Sequence, residues 1–196
     1  MFSRITAQQH PDRPAIVMAS TGQIITHAEH EAGANRLAHA LRRHGLGKGD
    51  HFALFMENNN KFLEICAAGE RSGLYFTPIN SYLTADELAY IVQNSQSQVL
   101  IVSKAKREIA AAALEQCPDI SLQVMIDAGD DDPLFVDYES FVKDESALPI
   151  SDENLGIAML YSSGTTGRPK GILRPMPDSG PESPLPLWGF LDNLWK

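Results

Sequence analysis

Thr84 to Val102, TADELAYIVQNSQSQVLIV, reads as one capped helix followed by one buried strand. Thr84 with Glu87 three residues on is a capping box: the hydroxyl accepts from the third helical amide, and the carboxylate reaches back to the cap amide. Leu88, Ile91 and Val92 then recur at helical spacing. Val99-Leu100-Ile101-Val102 is a continuous apolar run, as a strand covered on both faces requires.

Helix and strand signals alternate on either side, without an internal sequence repeat. Upstream, Thr26-His27-Ala28-Glu29 is a second capping box, followed by Ala34, Leu37, Ala38 and Leu41 on one helical face and Gly45 where a left-handed residue would stop the helix. His51 to Met56 is a strand. Asn59 or Asn60 is placed to cap a helix carrying Phe62, Ile65, Cys66 and Gly69, and Tyr75 to Ile79 is a strand that Pro78 must end or place at an edge. Before all of these, Ala15–Ala19 and Gln23–Ile25 flank Thr21-Gly22 as a hairpin would. Downstream come a helix over Ala105–Gln116, a strand over Leu122–Ile126 and a strand over Gly156–Tyr161. The acidic stretches Asp127–Asp137 and Asp144–Glu153 read as solvated loops. Alternating strands and helices predict an α/β fold, a mostly parallel sheet with covering helices.

Composition narrows the function. The 196 residues are 43% hydrophobic and 21% charged, which fits a globular domain and excludes a disordered chain. Sixteen Lys and Arg against 25 Asp and Glu give a net charge of −9, which argues against nucleic acid as a partner. Cys66 and Cys117 are too few for a disulfide framework or a zinc site, and read as buried thiols in a reducing compartment. No targeting segment is visible, and no apolar run approaches the roughly 20 residues of a membrane helix, so a cytoplasmic protein is expected. His27 with His30, and Asp130-Asp131-Asp132, lack the further ligands a metal site needs. No metal site is therefore expected.

The chemistry concentrates in Tyr161-Ser162-Ser163-Gly164-Thr165-Thr166-Gly167-Arg168-Pro169-Lys170-Gly171. Glycines allow backbone amides to turn toward a ligand, hydroxyls add donors, and Lys170 adds a point charge. Such a charge is worth about 4 kcal/mol at about 4 Å and an effective dielectric near 20, before desolvation. A polyphosphate suits this combination. It is not a Walker A loop: Gly164 and Gly167 are too close, Gly171 stands where the magnesium-binding hydroxyl would be, and Pro169 and Pro175 oppose a following helix. Nor is Gly45-Leu46-Gly47-Lys48-Gly49 a dinucleotide fingerprint, because it leads into a strand rather than out of one.

Residues 162–171, SSGTTGRPKG, resemble the phosphate loop of the adenylate-forming (AMP-binding) enzymes: acyl- and aryl-CoA synthetases, peptide-synthetase adenylation domains and beetle luciferases. The likeness extends to Asn35-Arg36-Leu37-Ala38, Gly45 to Asp50, the strand ending in Pro78-Ile79-Asn80, and the helix–strand pair Ala85–Ser103. It covers roughly residues 10–171.

The resemblance implies the N-terminal subdomain of the acyl-CoA synthetase-like fold over 1–171, with 172–196 a Pro-rich tail marking an insertion or truncation point. It implies ATP-dependent activation of a carboxylic acid, of fatty-acid type, to an acyl-adenylate and then an acyl-CoA thioester. ATP, Mg2+ and coenzyme A would take part, as in an AMP-forming acid–thiol ligase. Ser162, Ser163, Thr165 and Thr166 would donate hydrogen bonds to the outer phosphates, Gly164 and Gly167 would permit the approach, and Lys170 would neutralise charge. Arg168, at a position variable in type, stays outside that set. The family's adenine, ribose and magnesium motifs and its C-terminal lysine have no position in this sequence, so no catalytic residue is assigned. The expectation is a partial sequence, inactive alone, self-associating through exposed apolar surface. Two other readings remain: an amino-acid or aryl-acid adenylation domain, and a non-catalytic remnant serving as a structural or interaction module.

Overall fold

A computed structural model describes residues 4–129, 131–162 and 168–182. The chain opens with α1 (Arg4–Gln9) and a small antiparallel pair, β1 (Pro14–Val17) and β2 (Ile24–Thr26). Then follow α2 (His27–His44), β3 (His51–Phe55), α3 (Phe62–Arg71), β4 (Tyr75–Ile79), α4 (Ala85–Asn94) and β5 (Val99–Ser103). A 3-10 turn at Lys104–Lys106 leads into α5 (Arg107–Leu114), and β6 (Leu122–Ile126), β7 (Val136–Asp137) and α6 (Tyr138–Val142) come next. Last are β8 (Ile157–Ala158), β9 (Leu160–Ser162) and β10 (Lys170–Ile172).

Both capping boxes form. The Thr26 hydroxyl accepts from the Glu29 amide while Glu29 Oε2 accepts from the Thr26 amide, and Thr84 and Glu87 do the same. Gly45 ends α2 at φ 108°, a left-handed conformation that favours glycine. The start of α3 differs from expectation. Neither asparagine caps it; Lys61 takes the cap position with helical dihedrals, and Asn59 Oδ1 instead accepts from the Lys61 amide at 2.9 Å.

Six strands form one sheet in the order β7-β6-β5-β3-β4-β8, with every neighbouring pair parallel. Alternate residues of each strand face opposite layers. Phe52, Leu54, Val99, Ile101 and Val124 pack with Leu37 and Leu41 of α2, Ile65 of α3 and Tyr138 of α6. On the other face, Ala53, Phe55, Leu100, Val102 and Met125 pack with Leu88, Ile91 and Val92 of α4 and Ala110 of α5. Each fully buried Leu, Ile or Phe contributes roughly 1.5–3 kcal/mol, so the double layer carries most of the stability. The acidic stretch Asp127–Asp137, read as a loop, ends in β7, and α6 follows between the two acidic stretches with Tyr138 and Phe141 buried.

The expected strand Gly156–Tyr161 divides in two, and Pro78 is the reason. Ile157 N–H donates to Leu74 C=O at 3.0 Å and Met159 N–H to Phe76 C=O at 2.9 Å. The next rung of that parallel ladder calls for an N–H at position 78, which proline lacks. The ladder stops at Met159, the backbone leaves the sheet, and β9 pairs antiparallel with β10 instead. Pro78 does not put β4 at the sheet edge; it ends pairing on one side only, while β4 runs beside β3 to Ile79. Gly156 makes the approach possible: a Cβ there would lie 2.2 Å from the Gly69 carbonyl oxygen of α3.

The Pro-rich segment forms neither helix nor sheet strand from 173 to 182, yet it is tied down. Tyr75 O–H donates to the Arg174 carbonyl at 2.7 Å, the Leu155 amide donates to Ser179 C=O at 2.8 Å, and Lys48 pairs with Asp178. No helix among the described residues is long and apolar enough to cross a membrane.

Candidate functional site

The site grows from the point where the chain leaves the sheet. In the β9–β10 pair, Ser162 stands opposite Lys170, Tyr161 opposite Gly171 and Leu160 opposite Ile172. Directly opposed residues share a face, so Leu160, Ser162, Lys170 and Ile172 lie on one side, and all four are exposed. Tyr161 turns the other way and joins the edge of the core layer under α4. Gly171 makes room for it, since a Cβ there would meet the Tyr161 ring at 2.9 Å.

Between the hairpin and the sheet lies a cleft of about 520 Å³. Its floor is Pro78, Ile79 and Asn80 at the carboxyl end of β4, one wall is Leu83, Glu87 and Ile91, and the other is formed by Leu160–Ser162 with Arg168 and Pro169. Clefts at the carboxyl ends of parallel strands are the usual ligand position in open α/β sheets. The strand order reverses around β3, because the chain crosses from β4 on one side of it to β5 on the other.

The electrostatics of the cleft are simple. The Arg168 guanidinium sits 5.3 Å from the centre of the Tyr90 ring. The carboxylate of Glu87 is held below its ordinary range by the Thr84 amide and hydroxyl, so it stays ionised as a cap. The Tyr161 phenol is pushed up to about 12 by burial and by the neighbouring Tyr90. It remains a donor near neutral pH, and gives its proton to Asn94 Oδ1 at 2.7 Å.

Ser162 and Lys170, two of the seven expected phosphate-binding residues, are thus brought face to face at the root of the loop. Ser163, Gly164, Thr165, Thr166 and Gly167 lie outside the described residues. Arg168, omitted in the sequence reading, lines the cleft together with Ser162, whereas Lys170 is exposed outside its lining. Sequence reasoning also passed over Tyr90 and Asn94, although side chains four apart on a helix share one face. Among the described residues no group of three His, Cys, Asp or Glu side chains is arranged to hold a metal.

The sequence profile described as "AMP-binding enzyme" matches residues 3–176, which takes in the sheet, the cleft and the whole hairpin. The chain belongs to the AMP-binding enzyme family. Among curated AMP-binding relatives, the long-chain-fatty-acid–CoA ligase FadD13 of Mycobacterium tuberculosis is 35% identical over 172 residues, covering 87% of this chain and 33% of that protein. The fatty acid–[acyl-carrier-protein] ligase ScoC of Streptomyces coeruleorubidus is 29% identical over 168 residues, 85% of this chain and 31% of that one. The solved fatty acyl CoA synthetase of Mycobacterium tuberculosis superposes with a TM-score of 0.73 at 27% identity, covering 88% of this chain and 33% of its own. The α/β sheet with its covering helices is therefore the N-terminal architecture of AMP-binding acyl-CoA synthetases. The chain spans about a third of the length of these relatives.

Proposed function

We propose that this chain supplies the outer-phosphate grip of an ATP-dependent acid–thiol ligase acting on a carboxylic acid of the fatty-acid class. In that reaction a carboxylate oxygen attacks the α-phosphorus of ATP, the bond to the β-phosphate bridging oxygen breaks, and pyrophosphate departs. The coenzyme A thiol then attacks the acyl carbon, and AMP leaves with the electrons of the acyl–oxygen bond. The observation that carries the reading is the placing of Ser162 and Lys170 on one exposed face of a hairpin at the carboxyl end of a parallel sheet. The family membership and the fatty-acid ligases among the relatives support it.

In this assignment residues 1–171 form the N-terminal part of the large AMP-binding domain and 172–196 a Pro-rich tail. Ser162, Ser163, Thr165 and Thr166 donate hydrogen bonds to the β- and γ-phosphates, and Gly164 and Gly167 let the backbone approach them. Lys170 balances the charge that grows on the leaving pyrophosphate, where fixed donors lower a barrier most. Mg2+ would arrive on the nucleotide and be held by its phosphates rather than by a side-chain cluster among the described residues. We place the protein in the cytoplasm. Its exposed Leu160, Ile172 and Leu173 give it a surface for self-association that light scattering would read.

The test is a titration of the 196-residue chain with pyrophosphate and with ATP, followed by calorimetry and thermal shift. The expected result is weak binding of both, lost in Lys170→Ala, without acid-dependent ATP–pyrophosphate exchange. A chain that binds neither, or a Lys170→Ala variant that binds as the wild type does, overturns the phosphate assignment. Exchange by the chain alone would show that the parts described suffice for the first half-reaction.

A further inference from the structure

Helix α4 is hydrogen-bonded to β9 and to the residue that precedes β10. Tyr90 and Asn94 lie four residues apart, on one face of that helix. Asn94 Oδ1 accepts the Tyr161 phenol proton at 2.7 Å, which fixes the outgoing strand one residue before Ser162. Tyr90 O–H donates to the Pro169 carbonyl at 3.2 Å, which fixes the returning strand one residue before Lys170. Proline offers the backbone no donor, so this carbonyl is the one main-chain hydrogen-bonding group at position 169. The Tyr90 ring also lies under the guanidinium of Arg168, a lining residue of the cleft.

The helix making these contacts is itself rigidly held. Leu88, Ala89, Ile91 and Val92 are buried against the sheet, and the Thr84–Glu87 box closes its first turn. The described part of the hairpin is short: Leu160, Ser162, Lys170 and Ile172 are exposed, Tyr161 alone of the β9 residues packs on the core layer, and each strand has three residues.

We propose that Tyr90 and Asn94 are positioning residues for the phosphate grip, transmitting the fixed position of α4 to Ser162 and Lys170. The inference rests on the phosphate reading given above. Neither side chain touches the anion; each sets the level of the strand that carries a ligand-binding residue. Displacing such a group by about an ångström is enough to degrade electrostatic preorganisation.

The experiment uses the 196-residue chain with inorganic pyrophosphate as the probe. Tyr90→Phe keeps the ring beneath Arg168 and removes only the hydroxyl; Asn94→Ala removes the acceptor, and Asn94→Asp restores one. Two quantities are read: hydrogen exchange of the β9–β10 amides relative to those of β3 and β5, and pyrophosphate affinity by calorimetry. In the Tyr90→Phe/Asn94→Ala double variant the hairpin amides are expected to exchange about tenfold faster, with β3 and β5 unchanged and pyrophosphate binding weakened about fivefold or more. Asn94→Asp alone is expected to retain wild-type values for both. Unchanged hairpin exchange overturns the proposal, and so does faster exchange with unaltered affinity. A wild-type chain without pyrophosphate affinity brings down the phosphate reading and the positioning role together. A wild type that binds, with variants that bind equally, removes the positioning role alone.

Discussion

The central strands and the β9–β10 hairpin are built by opposite rules. β3 and β5 are buried almost throughout, pair in parallel with neighbours on both sides, and carry nearly continuous apolar sequence. Among the described residues β9 and β10 pair with each other, expose Leu160, Ser162, Lys170 and Ile172, and are tied to α4 by two side-chain hydrogen bonds. The first region is held by area removed from water, which is insensitive to direction. The second is held by a few directed contacts, which are weak in sum but fix position. Residues for folding and residues for binding are therefore separable by mutation.

The largest separation is expected from Phe52→Ala. Phe52 is completely buried between α2, α3 and the sheet, and its truncation costs about 3–5 kcal/mol by transfer and cavity formation. Urea unfolding would measure it, and a loss under 1 kcal/mol would contradict the assigned core.

Acid comes next. His30 is buried on α2 near Arg71, its Nδ1 without a hydrogen-bond partner among the described residues. Burial and the Arg71 charge lower its pKa from 6.5 to about 4. The folded value lies below the unfolded one, so the fold favours the neutral ring. That contribution is complete above pH 6.5 and disappears as the pH falls toward 4. Denaturation midpoints should decline through that window, and His30→Gln should flatten the decline.

A smaller effect is expected from Thr84→Ala, which removes one half of a capping box and costs about 1 kcal/mol. Because α4 also holds the hairpin, exchange at β9 and β10 should rise along with that loss. Smallest in stability is Lys170→Ala. The side chain is exposed and has no part in the core, so unfolding should move by no more than about 0.5 kcal/mol, while pyrophosphate affinity disappears. A large destabilisation would place Lys170 among the folding residues and erase the contrast between the two regions.

These differences also explain how far reading the chain alone could go. Thr26 with Glu29, Thr84 with Glu87, and Gly45 announce helix ends by local hydrogen-bond chemistry, so they were found without knowledge of the tertiary structure. The strands β3 and β5 declare themselves by nearly unbroken hydrophobicity, and β6 by an apolar run with one glutamine in it. What stayed hidden depends on partners distant in sequence. β7 ends the first acidic stretch and α6 lies between the two, and their few apolar neighbours, among them Phe135, Tyr138 and Phe141, make sense only once the sheet edge is beside them. The α3 cap was misassigned because a nearby asparagine spends its side chain on Lys61 in a preceding turn. At the candidate site the residue types of the loop were plain, but the grip of Tyr90 and Asn94 on it was not, since contacts across 67 and 79 positions leave no periodic trace.

Pro78 settles a competition between two ways of using the same backbone. Strand β4 offers its outer flank as a template, and a chain passing beside it would go on zipping until the segment carrying Ser162 had been annexed as sheet. One nitrogen lacking a hydrogen halts that spread at Met159. Installing valine at this position would hand the rung back, and the protein would gain a longer sheet at the expense of its separate hairpin.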